Sequence, residues 1–319
     1  MSHRIDVHNH YMGEVVFDFF APFVPKGFPM TKWTPEAAIE FMDRHDISTQ
    51  ILSLPFALMA DPSDFGPTNL IRDLNEAYAG LIRDYPGRFG AFASLPFGST
   101  DNSLAEVAYA LDELKLDGVV LTSNVGGNYF GQPFYEPILA ELADREVPVF
   151  VHPNVCPNYG AVGFGRVPSI IEFPLDTARN ITNAIFSGVF KRHPGLKLIV
   201  AHCGGALPTL GWRIEQHVGI GHAPDDADID AQHVADVLRS LYYETALSGS
   251  PNSLLPTLEV TGFENILFGT DYGAAPETFI SRNIDALTSS SALNPSQLRG
   301  VECGNAQKMF PRLSSESRV

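Results

Sequence analysis

One pattern constrains the fold of this chain more than any other: short apolar, β-branched runs recur eight times, most of them followed by a stretch of helical periodicity. The runs are RIDVHNH (4–10), STQILSLPF (48–56), FGAFASLPF (89–97), DGVVLTSN (117–124), VPVFVHPN (147–154), LKLIVAHCGG (196–205), LYYETALSG (241–249) and NILFGTDYG (265–273). Strands that read as nearly continuous apolar runs are covered on both faces, and strands joined through helices run parallel. The intervening segments are amphipathic: TPEAAIEFMDRHD (34–46), NLIRDLNEAYAGLIRDYP (69–86), SLAEVAYALDELK (103–115), YEPILAELADRE (135–146), DTARNITNAIFSGVFKRHP (176–194) and HVADVLRSL (233–241). Thr34 ahead of Pro35 and Glu36 is a helix start, and the Pro-Gly pairs of DYPG and RHPG are helix stops. Eight such units in 319 residues predict an α/β protein, a single (β/α)₈ barrel domain over 1–319 with a long loop at 11–33 after the first strand. An open doubly wound sheet is the competitor, but no GxGxxG or P-loop sequence opens the first helix.

In such a barrel the chemistry belongs at the C-terminal ends of the strands. His8 and His10 end the first run, His152 the fifth, His202 the sixth and Asp271 the eighth. Alternation puts His8 and His10 on one face and Asn9 on the other. Two imidazoles side by side suit a divalent metal better than an apolar core. A satisfied polar strand terminus explains any one of these five residues; it does not explain five strand exits together. The other histidines lack this placement. His45 and His193 sit near helix ends, where a cation suits the dipole, and His3, His217, His222 and His233 fall in the terminus, a helix or a loop. All six are read as structural or solvated.

Charge narrows the partners. A net charge of −16 argues against nucleic acid and against anionic membrane surfaces. It is compatible with a small anionic substrate, because a metal and arginines reverse the potential inside a cleft. Cys156, Cys203 and Cys303 show no CxxC spacing, which predicts free thiols and a reducing compartment. With no apolar signal region and no run of membrane-spanning length, the expected location is the cytoplasm. The 11–33 loop holds Phe17, Phe19, Phe20, Phe23, Phe28 and Trp33, aromatic material for a lid over an aryl ring or for covering the barrel top or a subunit interface. TSNVGGNYFGQP, after the fourth run, is glycine-rich but lacks the helix start a phosphate loop needs.

DVHNHY, FVHPN, AHCGG with ALPTLGWRIE after it, and FGTDYG together resemble the amidohydrolase-related metal-dependent decarboxylases. That group contains the aminocarboxymuconate semialdehyde, γ-resorcylate, 5-carboxyvanillate and 6-methylsalicylate decarboxylases. The stretch from GRFGAFASLPF to LDGVVLTSN is most similar to the 6-methylsalicylate branch. By position, the resemblance implies that His8, His10, His152 and Asp271 bind one divalent ion, Zn²⁺ first and Mn²⁺ second, with His202 as the acid–base group beside it. It implies that Arg213 binds the substrate carboxylate, in some members across a dimer interface, and hence a homodimer. Two-metal relatives carry a lysine at the fourth strand exit; VVLTSN has none, which favours a single ion. Some aromatic-acid decarboxylases have glutamate at the first ligand position, where this chain has His8.

The expected reaction is non-oxidative decarboxylation of a small anionic aromatic or unsaturated acid, first of all a salicylate-type acid such as 6-methylsalicylate. Direct loss of CO₂ would leave an aryl carbanion, so the ring carbon is protonated first, by Asp271 or His202, while a cation holds the oxygens. The same residues also suit a metal-dependent hydrolase of a lactone or amide, with hydroxide activated on the metal. A binding barrel without catalysis would need a broken ligand set, and this one is intact.

Overall fold

The computed structural model describes residues 4–20, 33–55, 68–220 and 227–313. Eight parallel strands follow the chain in order: β1 (Arg4–Asp6), β2 (Ile47–Leu52), β3 (Phe89–Ala93), β4 (Gly118–Thr122), β5 (Pro148–His152), β6 (Lys197–Val200), β7 (Tyr242–Glu244) and β8 (Ile266–Leu267). The sheet closes on itself. Val7 N–H donates to Phe268 O at 2.9 Å, Asp271 N–H to His8 O at 2.8 Å and His10 N–H to Tyr272 O at 2.8 Å. A parallel bridge between Asn9 and Tyr272 extends this seam. The result is the (β/α)₈ barrel that the alternation of runs predicts.

Side-chain alternation builds two layers of core. Ile5, Ile51, Phe92, Val120, Phe150, Ile199 and Leu267 fill the barrel interior. Their neighbours Val119, Leu121, Val149, Val151, Leu198 and Val200 point outward against the helices. Ala306, Phe310 and Leu313 pack on the interior cluster and close the end where the strands begin. Arg4 and Arg312 hold that plug, bonding Glu302 at 2.8 Å and Asp117 at 2.7 Å respectively.

The helices follow their local signals where those exist. Thr34 Oγ1 accepts Ala37 N–H at 3.2 Å and Pro35 opens the helix Pro35–Arg44. The helix read at 103–115 starts earlier, at Thr100 under a Ser99 cap, and widens into a π turn over Tyr109–Glu113. The segment read as one helix at 176–194 begins at Glu172 and breaks into Glu172–Phe186 and Val189–Arg192. Gly188 makes the break: its φ is +76°, and a Cβ there would lie 2.8 Å from Ala227 Cβ. The glycine-rich stretch after β4 forms a two-stranded ribbon, Asn124–Val125 with Asn128–Tyr129. Asp176 fastens it to the helix behind, accepting from Asn124 Nδ2 at 2.9 Å and Tyr129 OH at 2.7 Å.

The region read as a loop at 11–33 contains a helix, Glu14–Phe20, with Phe17 and Phe19 half-buried. Trp33 is no lid. It is buried in the outer core, 4.8 Å from the Tyr11 ring and 5.8 Å from that of Phe89. Phe23, Phe28, His3, His222 and the side chain of Phe20 lie outside the described residues. All three cysteines are free thiols. No helix among the described residues is long and apolar enough to cross a membrane.

Candidate metal centre

His8 and His10 reach the barrel mouth through a break in strand alternation. Ile5 and Val7 both join the interior cluster, so an unbroken strand would turn His8 outward. Instead β1 stops at Asp6, and the His8 ring packs 4.9 Å from the interior Phe150 ring. Asp6 makes the break. Its buried carboxylate accepts His8 N–H at 3.1 Å, Thr270 N–H at 3.0 Å, Thr270 Oγ1–H at 2.7 Å and Gln50 Nε2–H at 3.0 Å. These bonds add to the backbone pairing of the seam and bind the first strand to the residue before Asp271. Burial pushes the Asp6 pKa up to about 7, against the pull of those donors.

The predicted ligands converge. His8 Nε2 lies 3.2 Å from His10 Nε2, and Asp271 Oδ1 lies 3.4 Å from the first and 3.0 Å from the second. The donor atoms of His8, His10 and His152 are all within 4.8 Å of one another, as are those of His8, His202 and Asp271. Ring centroids are separated by 5.1 Å for His8–His10, 5.3 Å for His8–His152 and 5.0 Å for His10–His152. The His202 ring stands 4.9 Å from that of His8.

Backbone acceptors turn the rings. His152 Nδ1 bonds Pro153 O at 2.7 Å and His202 Nδ1 bonds Ala246 O at 2.9 Å. A carbonyl only accepts, so each Nδ1 carries the hydrogen and each Nε2 keeps its lone pair for the mouth. His8 Nδ1 bonds Glu244 Oε1 at 2.8 Å to the same effect. His202 and Asp271 both sit at left-handed φ, +56° and +65°, strain of the kind that collects at functional sites.

Charge and burial favour a cation here. Burial lowers the pKa of His10 and His152, and for His152 the neighbouring histidines lower it further. Although burial opposes both charges, Glu244 and Asp271 raise His8 to about 9, and His8 and His10 hold Asp271 well below the usual carboxylate range. Two Nε2 atoms 3.2 Å apart repel through their lone pairs unless a proton or a metal lies between them. Three imidazoles and a carboxylate in a buried cup are a donor set for a zinc- or manganese-type ion.

Arg213 is not part of this cluster. It is exposed on the helix Leu207–Gln216 and lines an open groove of about 680 Å³ together with Leu175, Arg179, Phe186 and His217. His45 and His193 pair with Glu277 and Glu136 at 3.0 and 2.9 Å, away from the mouth. Two site residues escaped the sequence reading, Asp6 and Glu244, both fully buried. Their signal was present: an acidic residue inside an apolar strand run is almost never buried without a partner.

Known proteins share this arrangement of chain. Decarboxylase yanB of Aspergillus niger is 32% identical over 331 residues, covering 97% of this chain and 88% of its own length. The 6-methylsalicylic acid decarboxylase of Penicillium expansum is 29% identical over 316 residues and 97% of both chains. A crystal structure of an amidohydrolase II superposes with a TM-score of 0.85 at 28% identity, covering 97% of this chain and 99% of that one. With residues 5–312 matching the amidohydrolase family from the first barrel strand through the plug that closes its floor, the chain belongs to that family.

Proposed function

We propose that this protein is a metal-dependent, non-oxidative decarboxylase of a small aromatic acid of the salicylate type, with 6-methylsalicylate as the leading substrate. One observation carries the reading: an imidazole outside the proposed ligand set, His202, stands beside four converging donors with its Nδ1 tied to Ala246 O. The decarboxylase names of the relatives over nearly the whole chain support it. His8, His10, His152 and Asp271 would hold one ion, zinc first and manganese second, and that ion supplies a Lewis acid for the substrate carboxylate and its ortho oxygen.

The protein side chains then handle the proton. His202 Nε2 keeps the phenol oxygen ionised, so the ring is electron-rich at the carbon bearing the carboxylate. Asp271 takes up one proton from solvent as the substrate binds and delivers it to that carbon, forming the C–H bond and returning to the ionised carboxylate that His8 and His10 favour. The C–C bond to the carboxylate breaks, its electron pair restores the aromatic ring, and CO₂ leaves. Phe150 beneath His8 and the buried walls around the histidines keep the reacting face dry.

In this proposal residues 1–319 form one cytoplasmic catalytic unit that works as a homodimer, with Arg213 binding the substrate carboxylate in the partner's mouth. Support comes from exposed apolar side chains beside Arg213: Leu175, which lines the same groove, is 39% exposed, and Trp212, on the same helix, 72%. The three free thiols suit a reducing compartment. Incubation of the zinc- or manganese-loaded protein with 6-methylsalicylate is expected to release CO₂ and 3-methylphenol, with one deuterium on the vacated carbon in D₂O. Neither product appearing with any ortho-hydroxybenzoate would overturn the proposal. Solvent ¹⁸O entering a lactone- or amide-derived product would establish the hydrolase instead.

A further inference from the structure

Glu244 touches both halves of the site through a single carboxylate. Its Oε1 accepts from His8 Nδ1 at 2.8 Å and from the His202 backbone N–H at 2.5 Å. Its Oε2 accepts Ala246 N–H at 2.6 Å, and the carbonyl of that same Ala246 accepts from His202 Nδ1 at 2.9 Å. The His202 ring and backbone are therefore both fixed relative to one acid, and so is the His8 ring. The residue is fully buried at the end of β7, facing the interior as Tyr242 does two residues earlier.

The barrel leaves room for that carboxylate at one place. A Cβ on Gly269 would lie 2.0 Å from Glu244 Oε2 and 2.9 Å from His8 Cβ. Gly269 lies just past the end of β8 against Glu244, so any side chain there would occupy the position of the Glu244 head group. The glycine in FGTDYG is thus required by space.

We infer that Glu244 is a positioning residue that couples the ligand His8 to the acid–base His202, fixing the tautomer of both rings and the left-handed backbone at 202, with Gly269 as its seat. The inference rests on the proposed function for the role of His202, and its test reads metal binding and tautomer directly, so loss of the substrate assignment leaves it standing. A buried carboxylate behind a ligating imidazole holds the ring in place and raises its basicity, and removing such a partner costs about 10–100-fold in metal affinity.

Glu244→Gln keeps the shape but offers one acceptor oxygen, so its amide N–H group faces either the Ala246 N–H or the two donors on the other side. In a chelator competition with Zn²⁺ alone, this variant is expected to bind about 10–100-fold more weakly. Imidazole ¹⁵N shifts of the zinc-loaded protein are expected to show His202 as one Nδ1–H tautomer in the wild type and as a mixture in the variant. Gly269→Ala retains the acid but displaces it, and is expected to reproduce both changes; it carries the test if Glu244→Gln does not fold. A folded variant with zinc affinity within twofold of wild type overturns the inference. Weakened zinc with an unchanged His202 tautomer overturns the coupling.

Discussion

His202 and Asp271 stand close together at the mouth, yet the proposed reaction gives them different tasks, and substitution separates them. His202 is outside the four-donor set, so His202→Ala should keep one zinc per chain while kcat falls by about 10²–10⁴-fold, the usual contribution of a positioned acid–base group. Asp271→Asn should abolish turnover and weaken zinc together, because the Oδ1 beside His8 and His10 loses its charge. Steady-state kinetics with metal analysis on the same samples checks both. The histidines and Asp271 could be read from sequence because each ends an apolar strand run, where barrel chemistry gathers. The route that turns His8 inward could not. The Thr270 donors that help Asp6 end β1 come from 264 residues away, and no local pattern contains them.

At the scale of the element, helix ends carry both packing and charge. Glu136 opens the helix Glu136–Asp144 and receives Arg192 Nε at 2.7 Å, Arg192 Nη2 at 2.9 Å and His193 Nε2 at 2.9 Å from the end of Val189–Arg192. The Arg192 bonds are the main cause holding the Glu136 carboxyl down to about 2, with His193 adding to them. A carboxyl depressed in the folded state stabilises above its unfolded pKa, near 4.5, and loses that contribution as pH falls toward 2. Glu136→Gln should therefore lower Tm slightly at pH 6, and the gap to wild type should close between pH 4.5 and 2 in thermal melts. His193 was read as a partner of the helix dipole; its carboxylate partner comes from another helix, beyond the reach of local reasoning. Caps such as Thr34 were legible because they are local. The break at Gly188 was not, since the close approach of Ala227, far along the chain, lies outside any local pattern.

For the molecule as a whole, the eightfold alternation of runs was enough to give the barrel, because strand length, burial and helical crossovers all point to one closed sheet. What it could not give is where Arg213 acts, since that residue lies on an outer groove. Arg213→Ala should raise KM by about 10–100-fold, the worth of a lost charged hydrogen bond, with kcat little changed. Mixing Arg213→Ala chains with His202→Ala chains gives a sharper result. If Arg213 serves the partner, each mixed dimer holds one mouth with both groups intact, and activity at low substrate should rise well above either variant alone. No recovery after verified subunit exchange would place Arg213 outside the partner's site.

The seam that joins β8 to β1 runs directly beneath His8 and Asp271. The ring therefore fastens at its candidate metal centre, like a bracelet whose clasp is its jewel. During synthesis the two leading imidazoles emerge long before Asp271, and the four-donor cluster is complete only once the final strand has docked. If the proposed site is the reactive one, a half-finished or ruptured barrel is expected to be inert.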